Sequence, residues 1–362
     1  MTAVSEQNFK GFPSSRLKNL GIDFPFLIAP MVGISHVAFR ELVRSYLPES
    51  VSPLLFTEML STLRLPYEKW EDLPGPLNSL GENYFIPQLL GNEESYISGS
   101  IEKLLPLHPW GFDINMGCPA SHQLSHNWGV RLLGDIDYAS QVVKVTKKHS
   151  PVPVSVKLRA ATGSSIDLNY LLKFTQRLED SGADWLTLHC RTQNQGHHGY
   201  AHWDLVSEVA KERKIPVVAN GDIHHWEDAF HLMDQYRVDG AMIARAATAR
   251  PWILWQLAQK MGNFDLPKAR WETSPPWTPE EEGAEYFRAI LRFSCLLEDY
   301  FGDTPFALKK LIFFVAHGSR WLLFGHQFFH GVKRCQNLVQ VRDFVNEYSE
   351  KNPQPLGKTA RI

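Results

Sequence analysis

Cysteine is scarce in this chain: four in 362 residues, at positions 118, 190, 295 and 335. Their spacings match neither a zinc site nor a disulfide framework, which excludes a cystine-stapled secreted scaffold and favours a reducing, cytoplasmic setting. Long apolar runs are missing too. Nowhere do about 18 uncharged apolar residues follow one another, so no membrane span is expected. Residues 1–11 are polar, with no basic segment leading into an apolar one, so no secretory signal is expected either. A dominant charge is absent: 37 basic and 39 acidic side chains leave −2, which speaks against a general nucleic-acid binder. There is also no glycine-rich dinucleotide fingerprint after the first apolar run, where the chain reads Ala29-Pro30-Met31-Val32-Gly33. A doubly wound open sheet normally announces itself there.

What remains is a globular composition, 44% apolar, long enough for one large domain or a large and a small one. Short apolar runs recur at Phe26–Met31, Leu54–Met59, Phe85–Leu90, Gly111–Asn115, Val154–Leu158, Trp185–His189, Pro216–Asn220 and Gly240–Ile243. Amphipathic stretches suited to helices separate them, among them His36–Tyr46, Tyr138–Lys148, Leu168–Ser181, Trp203–Lys214 and Trp226–Tyr236. Eight strand–helix units predict an α/β fold, a (β/α)8 TIM barrel, with chemistry at the carboxyl ends of its strands. Pro275, Pro276 and the acidic run Glu280–Glu282 mark a change of character. The expected organisation is a barrel over 1–262, a linker over 263–282 and a smaller all-helical domain over 283–362. Helices are expected there at Ala284–Tyr300, Pro305–Leu323 and Val339–Glu350. From Phe301 onward nine Lys/Arg face four Asp/Glu, or +5, which leaves −7 for the rest. A basic appendage on a mildly acidic body can direct a polyanion to one face.

The chemistry concentrates at the ends of the apolar runs. Asn115-Met116-Gly117-Cys118-Pro119 places a lone thiol on a loop at the mouth, a candidate proton donor. Other runs end in Pro30-Met31, Thr57-Glu58-Met59, Gln88, Lys157 with Arg159, His189 with Arg191, Asn220-Gly221-Asp222 and Ala244-Arg245-Ala246. Unpaired buried polar groups cost about 1–3 kcal/mol each, so a large polar cofactor is expected to satisfy them. Small residues at the last two strand ends expose backbone N–H groups where barrels hold phosphate. A phosphate there and a lysine in mid-mouth suggest flavin mononucleotide (FMN). Cys190, Cys295 and Cys335 read as small core residues. His197, His198 and His202 read as solvated histidines, with no metal site, and Trp252, Trp255 and Trp321 read as core packing.

Taken in order, these segments resemble the tRNA-dihydrouridine synthases, the Dus family of flavoenzymes. The resemblance runs through Ala29-Pro30-Met31, Phe39-Arg40, Thr57-Glu58-Met59, Pro87-Gln88-Leu89, Asn115-Met116-Gly117-Cys118-Pro119 and Val156-Lys157-Leu158-Arg159. It continues through His189-Cys190-Arg191-Thr192, Gln195-Gly196, Trp203, Asn220-Gly221-Asp222 and Pro251-Trp252. The C-terminal region is most similar to the bacterial subgroup acting at tRNA position 16 (DusC-like). The resemblance implies reduction of the uracil C5–C6 bond in tRNA, using FMN reduced by NADPH or NADH. Hydride goes to C6 and Cys118 protonates C5, a role suited to a thiol, which is mostly protonated at neutral pH. Carried over by position, Pro30, Met31, Gln88, Lys157 and His189 border the flavin, while Asn220, Gly221, Asp222, Ala244 and Arg245 surround its phosphate. Asn115 orients the uracil or the flavin, Arg191 contacts RNA or the phosphate, and Lys309 and Lys310 bind tRNA. A cytoplasmic monomer with tRNA and a nicotinamide dinucleotide as partners is the expected working form.

Four departures from the family pattern stand out, one of them His197, in a place often held by an aromatic hydroxyl. Ala244 replaces a glycine before the phosphate-site arginine, where its methyl either crowds a backbone–phosphate contact or points away from it. Asn127-Trp128-Gly129 replaces a more glycine-rich segment. Ser35-His36 stands where Thr and an acidic or amide residue are common. Two alternatives stay open: a flavin barrel acting on a small pyrimidine-like substrate, and a non-catalytic tRNA-binding homologue.

Overall fold

The computed structural model describes residues 14–73, 76–79, 81–120, 126–263, 265 and 274–357. Eight parallel strands close into a barrel: β1 Phe26–Ile28, β2 Leu55–Ser61, β3 Phe85–Leu90, β4 Phe112–Met116, β5 Val154–Ala161, β6 Trp185–Thr192, β7 Val217–Asn220 and β8 Gly240–Ile243. The ring shuts where Phe26 of β1 pairs with Ala241 of β8. A short α1 (Ser15–Asn19) precedes it, and α2 (Val37–Ser45), α3 (Glu94–Leu104), α4 (Ile136–His149), α5 (Leu168–Asp180), α6 (Trp203–Glu212) and α7 (Trp226–Tyr236) follow their strands. Helices α8 (Ala246–Ala249) and α9 (Ile253–Lys260) complete this part. Helix α3 lies outside the amphipathic stretches read from sequence. Ser95, Ser98, Gly99 and Ser100 dilute its periodicity, and Gly99 is small because a methyl there would stand 3.3 Å from Pro66.

Strand parity sorts the interior into layers, because successive side chains alternate between faces. On β4, Phe112, Ile114 and Met116 join the outer core while Asp113 and Asn115 turn inward. On β5, Val154, Val156 and Leu158 face out, and Ser155, Lys157 and Arg159 face in. The floor is apolar: Leu27, Leu54, Phe56, Ile86, Trp185, Val218 and Met242, with Leu17 of α1 beneath. Truncating fully buried Trp185 to Ala would cost about 3–5 kcal/mol. Above the floor the strand registers align Gln88 with Asp113 and Asp113 with Ser155. Higher still come Asn115 opposite Lys157, and Arg159, His189 and Asn220 in one row. The barrel is apolar below and polar above because one parity changes character along each strand.

The C-terminal helical region comprises α10 (Pro279–Phe301), α11 (Pro305–Gly318), α12 (Gly325–Arg334) and α13 (Leu338–Lys351). Helix α10 starts at Pro279 through a capping box between Thr278 and Glu281, so the acidic run is its first turn; residues 264 and 266–273 of the expected linker lie outside the described residues. The single helix expected at Pro305–Leu323 is instead broken. It ends at Gly318, passes through a 3-10 turn at Ser319–Trp321, and a separate α12 follows. The last helical residue packs too closely for a side chain: a methyl at Gly318 would stand 2.4 Å from the Tyr286 hydroxyl and 2.5 Å from the Thr248 carbonyl. Cys295 is exposed and not in the core, since α10 buries Tyr286, Ile290, Phe293 and Leu297 on another face. Cys190 is fully buried, outward of the strand, and Cys335 is half-buried against the core.

Candidate active site

A cavity of about 680 Å³ opens at the carboxyl ends of the strands. Pro30, Met31, Gln88, Asn115, Cys118, Lys157, His189, Arg191, Asn220, Gly221, Asp222, Ala244 and Arg245 all line it. Lys309 and Lys310 do not. Lys309 is exposed on α11, while Lys310 Nζ is 2.9 Å from Glu58 Oε1 and so ties the helical region to β2. Helix α11 and the turn after it reach the cavity through Phe313, His317, Arg320 and Trp321, which sequence reasoning missed or read as core. The available signal was spacing: Lys309, Phe313 and His317 recur every four residues on one helix face.

Cys118 stands on a turn with three backbone clamps. Asn115 Oδ1 accepts the N–H groups of Gly117 at 3.0 Å and Cys118 at 2.9 Å. Arg159 Nε donates to the Gly117 carbonyl at 3.0 Å, and the Val130 N–H to the Cys118 carbonyl at 3.1 Å. Gly129, at φ +59°, backs the turn so closely that a methyl would stand 2.6 Å from the Cys118 carbonyl oxygen. Asn127 takes φ +58°, a left-handed conformation that Asn tolerates better than most residues. Asn127 thus meets a backbone demand that glycine commonly meets. Arg159 also donates to the Thr192 carbonyl at 3.0 Å and the Gly196 carbonyl at 2.9 Å, joining the thiol turn to the loop after β6.

Charge in the mouth is strongly one-sided. Five Lys/Arg side chains line it (Lys157, Arg159, Arg191, Arg245 and Arg320) against one acid, Asp222. Arg191 donates to Asp222 and to the Gly199 carbonyl, and its Nε to the His198 carbonyl at 3.3 Å. The other Asp222 oxygen accepts the Ala201 N–H at 2.7 Å. Burial would raise the Asp222 carboxyl, but the bonds from Arg191 and Ala201 outweigh it and hold it low. Arg191 and Asp222 are thus spent on shaping the loop. The Lys157, Arg245 and Arg320 head groups, by contrast, make no hydrogen bond or ion pair with a described residue.

Burial drives Lys157 down to about 8, with the nearby Asp113 charge opposing and Arg159 adding to the shift. Burial drives Asp113 up to about 7 against hydrogen bonds from Gln88 and Ser155 and the charge of Lys157. His189 is held well below its ordinary value by burial and then by Lys157, Arg159 and Arg191. His197 is exposed at the rim and also lines the cavity, in keeping with the reading of an exposed histidine. Desolvation by the cavity wall, followed by Arg245 and Arg159, presses it down to about 4.

Ala244, like Met31, packs against the floor cluster and also lines the cavity. Asn220 donates its amide to the Met242 carbonyl at 2.7 Å. Gly221 has φ +115°, and a methyl there would stand 3.1 Å from both His189 and Ala201. No described helix is long and apolar enough to cross a membrane.

The model of the dihydrouridine synthase (Dus) family matches residues 27–277. A relative from Synechocystis sp., "Probable tRNA-dihydrouridine synthase 1", is 33% identical over 232 residues, covering 64% of this chain and 63% of that protein. A "Probable tRNA-dihydrouridine synthase" from Rickettsia bellii is 28% identical over 341 residues, 92% of this chain and 97% of the relative. Among solved structures, nitroalkane oxidase from Streptomyces ansochromogenes aligns at 16% identity and a TM-score of 0.40, over 65% of this chain and 68% of that one. Histamine dehydrogenase from Rhizobium sp. 4-9 aligns at 10% identity and 0.48, over 76% and 49%. The family match spans every strand of the barrel but the first residue of β1 and every barrel residue that borders the cavity, and by it this chain belongs to the Dus family.

Proposed function

We propose that this chain is an FMN-dependent tRNA-dihydrouridine synthase that reduces the C5–C6 bond of a uridine in tRNA, with NADPH or NADH as the electron source. One observation carries most of the reading. The Cys118 thiol and the unpartnered Lys157 ammonium border the same cavity, whose lining has five cationic side chains and one carboxylate already paired with Arg191. Its volume of about 680 Å³ lies within the range of roughly 300–1,000 Å³ usual for cofactor sites.

The residues fit FMN. The backbone N–H groups of Gly221, Asp222, Arg245 and Ala246 border the cavity and bond to no described group. Successive free N–H groups beside a guanidinium make an anion nest suited to a phosphate. Lys157 and His189 would meet the ring or ribityl chain, and Gln88 keeps one amide hydrogen for a ring edge. When bound, FMN supplies the hydride that uracil takes at C6. Cys118 supplies the other half: its S–H proton goes to C5, and the thiolate recovers a proton from water. Hydride and proton together saturate the bond. A neutral His189 competes for no proton here.

The mouth's positive excess suits RNA. Pulling a base from its stack costs a few kcal/mol, which cation–phosphate contacts offset. The exposed Lys309, the aromatic Phe313, which lies on Gly33 at the rim, and Arg320 provide cation, stacking face and cation along one edge of the helical region. Affinity resting on such contacts falls steeply as salt rises.

The test is an absorbance spectrum of purified protein with the released chromophore identified by mass, then a dihydrouridine assay on tRNA from cells lacking this protein. FMN and newly formed dihydrouridine are expected. Protein that cannot be reconstituted with FMN would refute the redox reading. Bound FMN without tRNA product would instead turn attention to a small pyrimidine substrate.

A further inference from the structure

Beneath Cys118 lies a hydrogen-bond relay whose members sit on three strands. Asn115 Nδ2 donates to Gln88 Oε1 at 2.8 Å, Gln88 Nε2 donates to Asp113 Oδ2 at 2.7 Å, and Ser155 Oγ donates to Asp113 Oδ1 at 2.5 Å. Asp113 is completely buried and Gln88 almost so. An amide side chain has a donor end and an acceptor end of the same shape, and its partners alone decide which end points where. An ionised carboxylate only accepts. Asp113, ionised above the value of about 7 to which burial raises it, therefore forces Gln88 to turn its NH2 downward and its oxygen up. That oxygen forces Asn115 to turn its NH2 toward Gln88, which leaves Asn115 Oδ1 for the N–H groups of Gly117 and Cys118. Flip the lower end and the upper end would present N–H to N–H.

We propose that Asp113 is a positioning residue for Cys118: through Gln88 and Asn115 it sets the polarity that locks the turn carrying the thiol. This rests on the reading of Cys118 as the acid. The relay explains why a carboxylate interrupts an otherwise apolar strand at the same inward parity as Asn115. It also assigns Asn115 to the protein's own turn rather than to the substrate alone.

The chain's cysteines supply the assay. Full-length protein is treated with iodoacetamide, with and without saturating FMN, and each cysteine's labelling rate is read by mass spectrometry. Exposed Cys295 is the fast reference and fully buried Cys190 the fold control. Gln88→Glu, labelled at about pH 9 so that the two facing carboxylates keep no shared proton, breaks the relay; at lower pH the introduced acid's O–H would donate to Asp113 as the amide did. It should raise Cys118 labelling relative to Cys295 about fivefold or more, the scale of one lost buried hydrogen bond. Adding Asp113→Asn rebuilds the relay, because the amide introduced on β4 can donate to the carboxylate introduced on β3 while still accepting from Ser155. The double variant should return to within about twofold of wild type, a non-additivity expected of directly coupled residues. Gln88→Met removes both bonds without adding charge and should match Gln88→Glu. The proposal is overturned if Cys118 labelling is unchanged in both single variants, or if the double variant fails to restore it. Cys190 rising in step would overturn it as well, since the relay would then hold the barrel and not this turn. Labelling needs no tRNA and is read in both cofactor states, so this outcome and the FMN test fail independently.

Discussion

The barrel mouth and the seam between barrel and helical region both bury charge, and they treat it in opposite ways. At the seam every acid is met. Glu282 takes Arg250 at 2.9 Å and the Gln256 amide at 3.1 Å; Glu285 takes the Tyr46 hydroxyl and Arg288; Glu58 takes Lys310. At the mouth the head groups of Lys157, Arg245 and Arg320 are left without partners while one acid is spent on Arg191. Matched burial is what a fold does when an ion pair serves only to hold two parts together. Unmatched burial costs stability and persists where a ligand supplies the missing charge. The contrast separates architecture from site without reference to any relative.

The sharpest test of the comparison removes the mouth's thiol. Cys118→Ala should lower product formation by about 10²–10⁴-fold, the usual worth of a positioned general acid, while FMN retention, tRNA affinity and melting temperature stay close to wild type. Single-turnover dihydrouridine formation measures the first, and filter binding the affinity. A variant with the wild-type rate would remove the acid assignment.

Next come paired substitutions, one on each side of the contrast. Glu282→Gln at the seam leaves Arg250, which is fully buried, without its counter-charge; breaking such a pair costs about 3–5 kcal/mol, read by urea denaturation. Arg245→Met at the mouth should leave stability unchanged or slightly higher, because it removes an unmatched charge. It should instead weaken FMN by about tenfold or more, as expected for one lost charge-assisted bond, read by fluorescence titration. If the mouth variant unfolded and the seam variant did not, the division drawn here would be inverted.

A smaller effect comes from pH. His36 sits at the seam between the rings of Phe293 and Phe301, with neither ring nitrogen hydrogen-bonded. Burial, then Lys310 and Arg40, hold it well below its ordinary value. A depressed histidine is neutral in the folded chain, whereas the unfolded chain takes up a proton below about pH 6.5. Stability is therefore fully present above that pH and falls as pH drops below it. His189 and His197 act in the same direction. Each contributes a slope of at most about 1.4 kcal/mol per pH unit. His36→Phe should flatten the fall in stability between about pH 6.5 and pH 5 by one group's share, the remainder being set by the two mouth histidines and opposed by Asp113, whose raised carboxyl holds a proton in the folded chain over that range. Parallel melting curves for wild type and variant across that range would show it.

Much of this was legible in the sequence, for physical reasons that also mark its limits. Strand and helix periods identified the barrel because buried parallel strands read as short apolar runs. The run ends gave Cys118, Lys157, His189 and the Gly221 and Arg245 segments, which line one cavity, because polar residues gather at the carboxyl ends of barrel strands. What partners those residues keep was not legible. Arg191, Asp222 and Lys310 look like ligand-binding residues in sequence, yet each is committed to a protein partner that comes from elsewhere in the chain. Asp113 is inconspicuous inside a strand, though period-two parity places it under Asn115. The need for glycine at 318 comes from a close contact with Tyr286 and Thr248, which no local pattern reports.

Ala244 stands on the boundary between the apolar floor and the charged mouth, and so gives the smallest and most discriminating change. If its methyl crowded a phosphate contact, Ala244→Gly would tighten FMN. The methyl instead packs with Met31 against the floor cluster, so the mouth should not notice its loss. Removing it should cost no more than about 1 kcal/mol, from a lost contact and a freer unfolded backbone, and leave the FMN dissociation constant within about twofold, a change worth less than about 0.5 kcal/mol. A clear gain in FMN affinity with unchanged stability would place this residue on the mouth's side of the boundary. It would also mean that the floor, and not the backbone at Gly221 and Arg245, sets how closely a phosphate can approach.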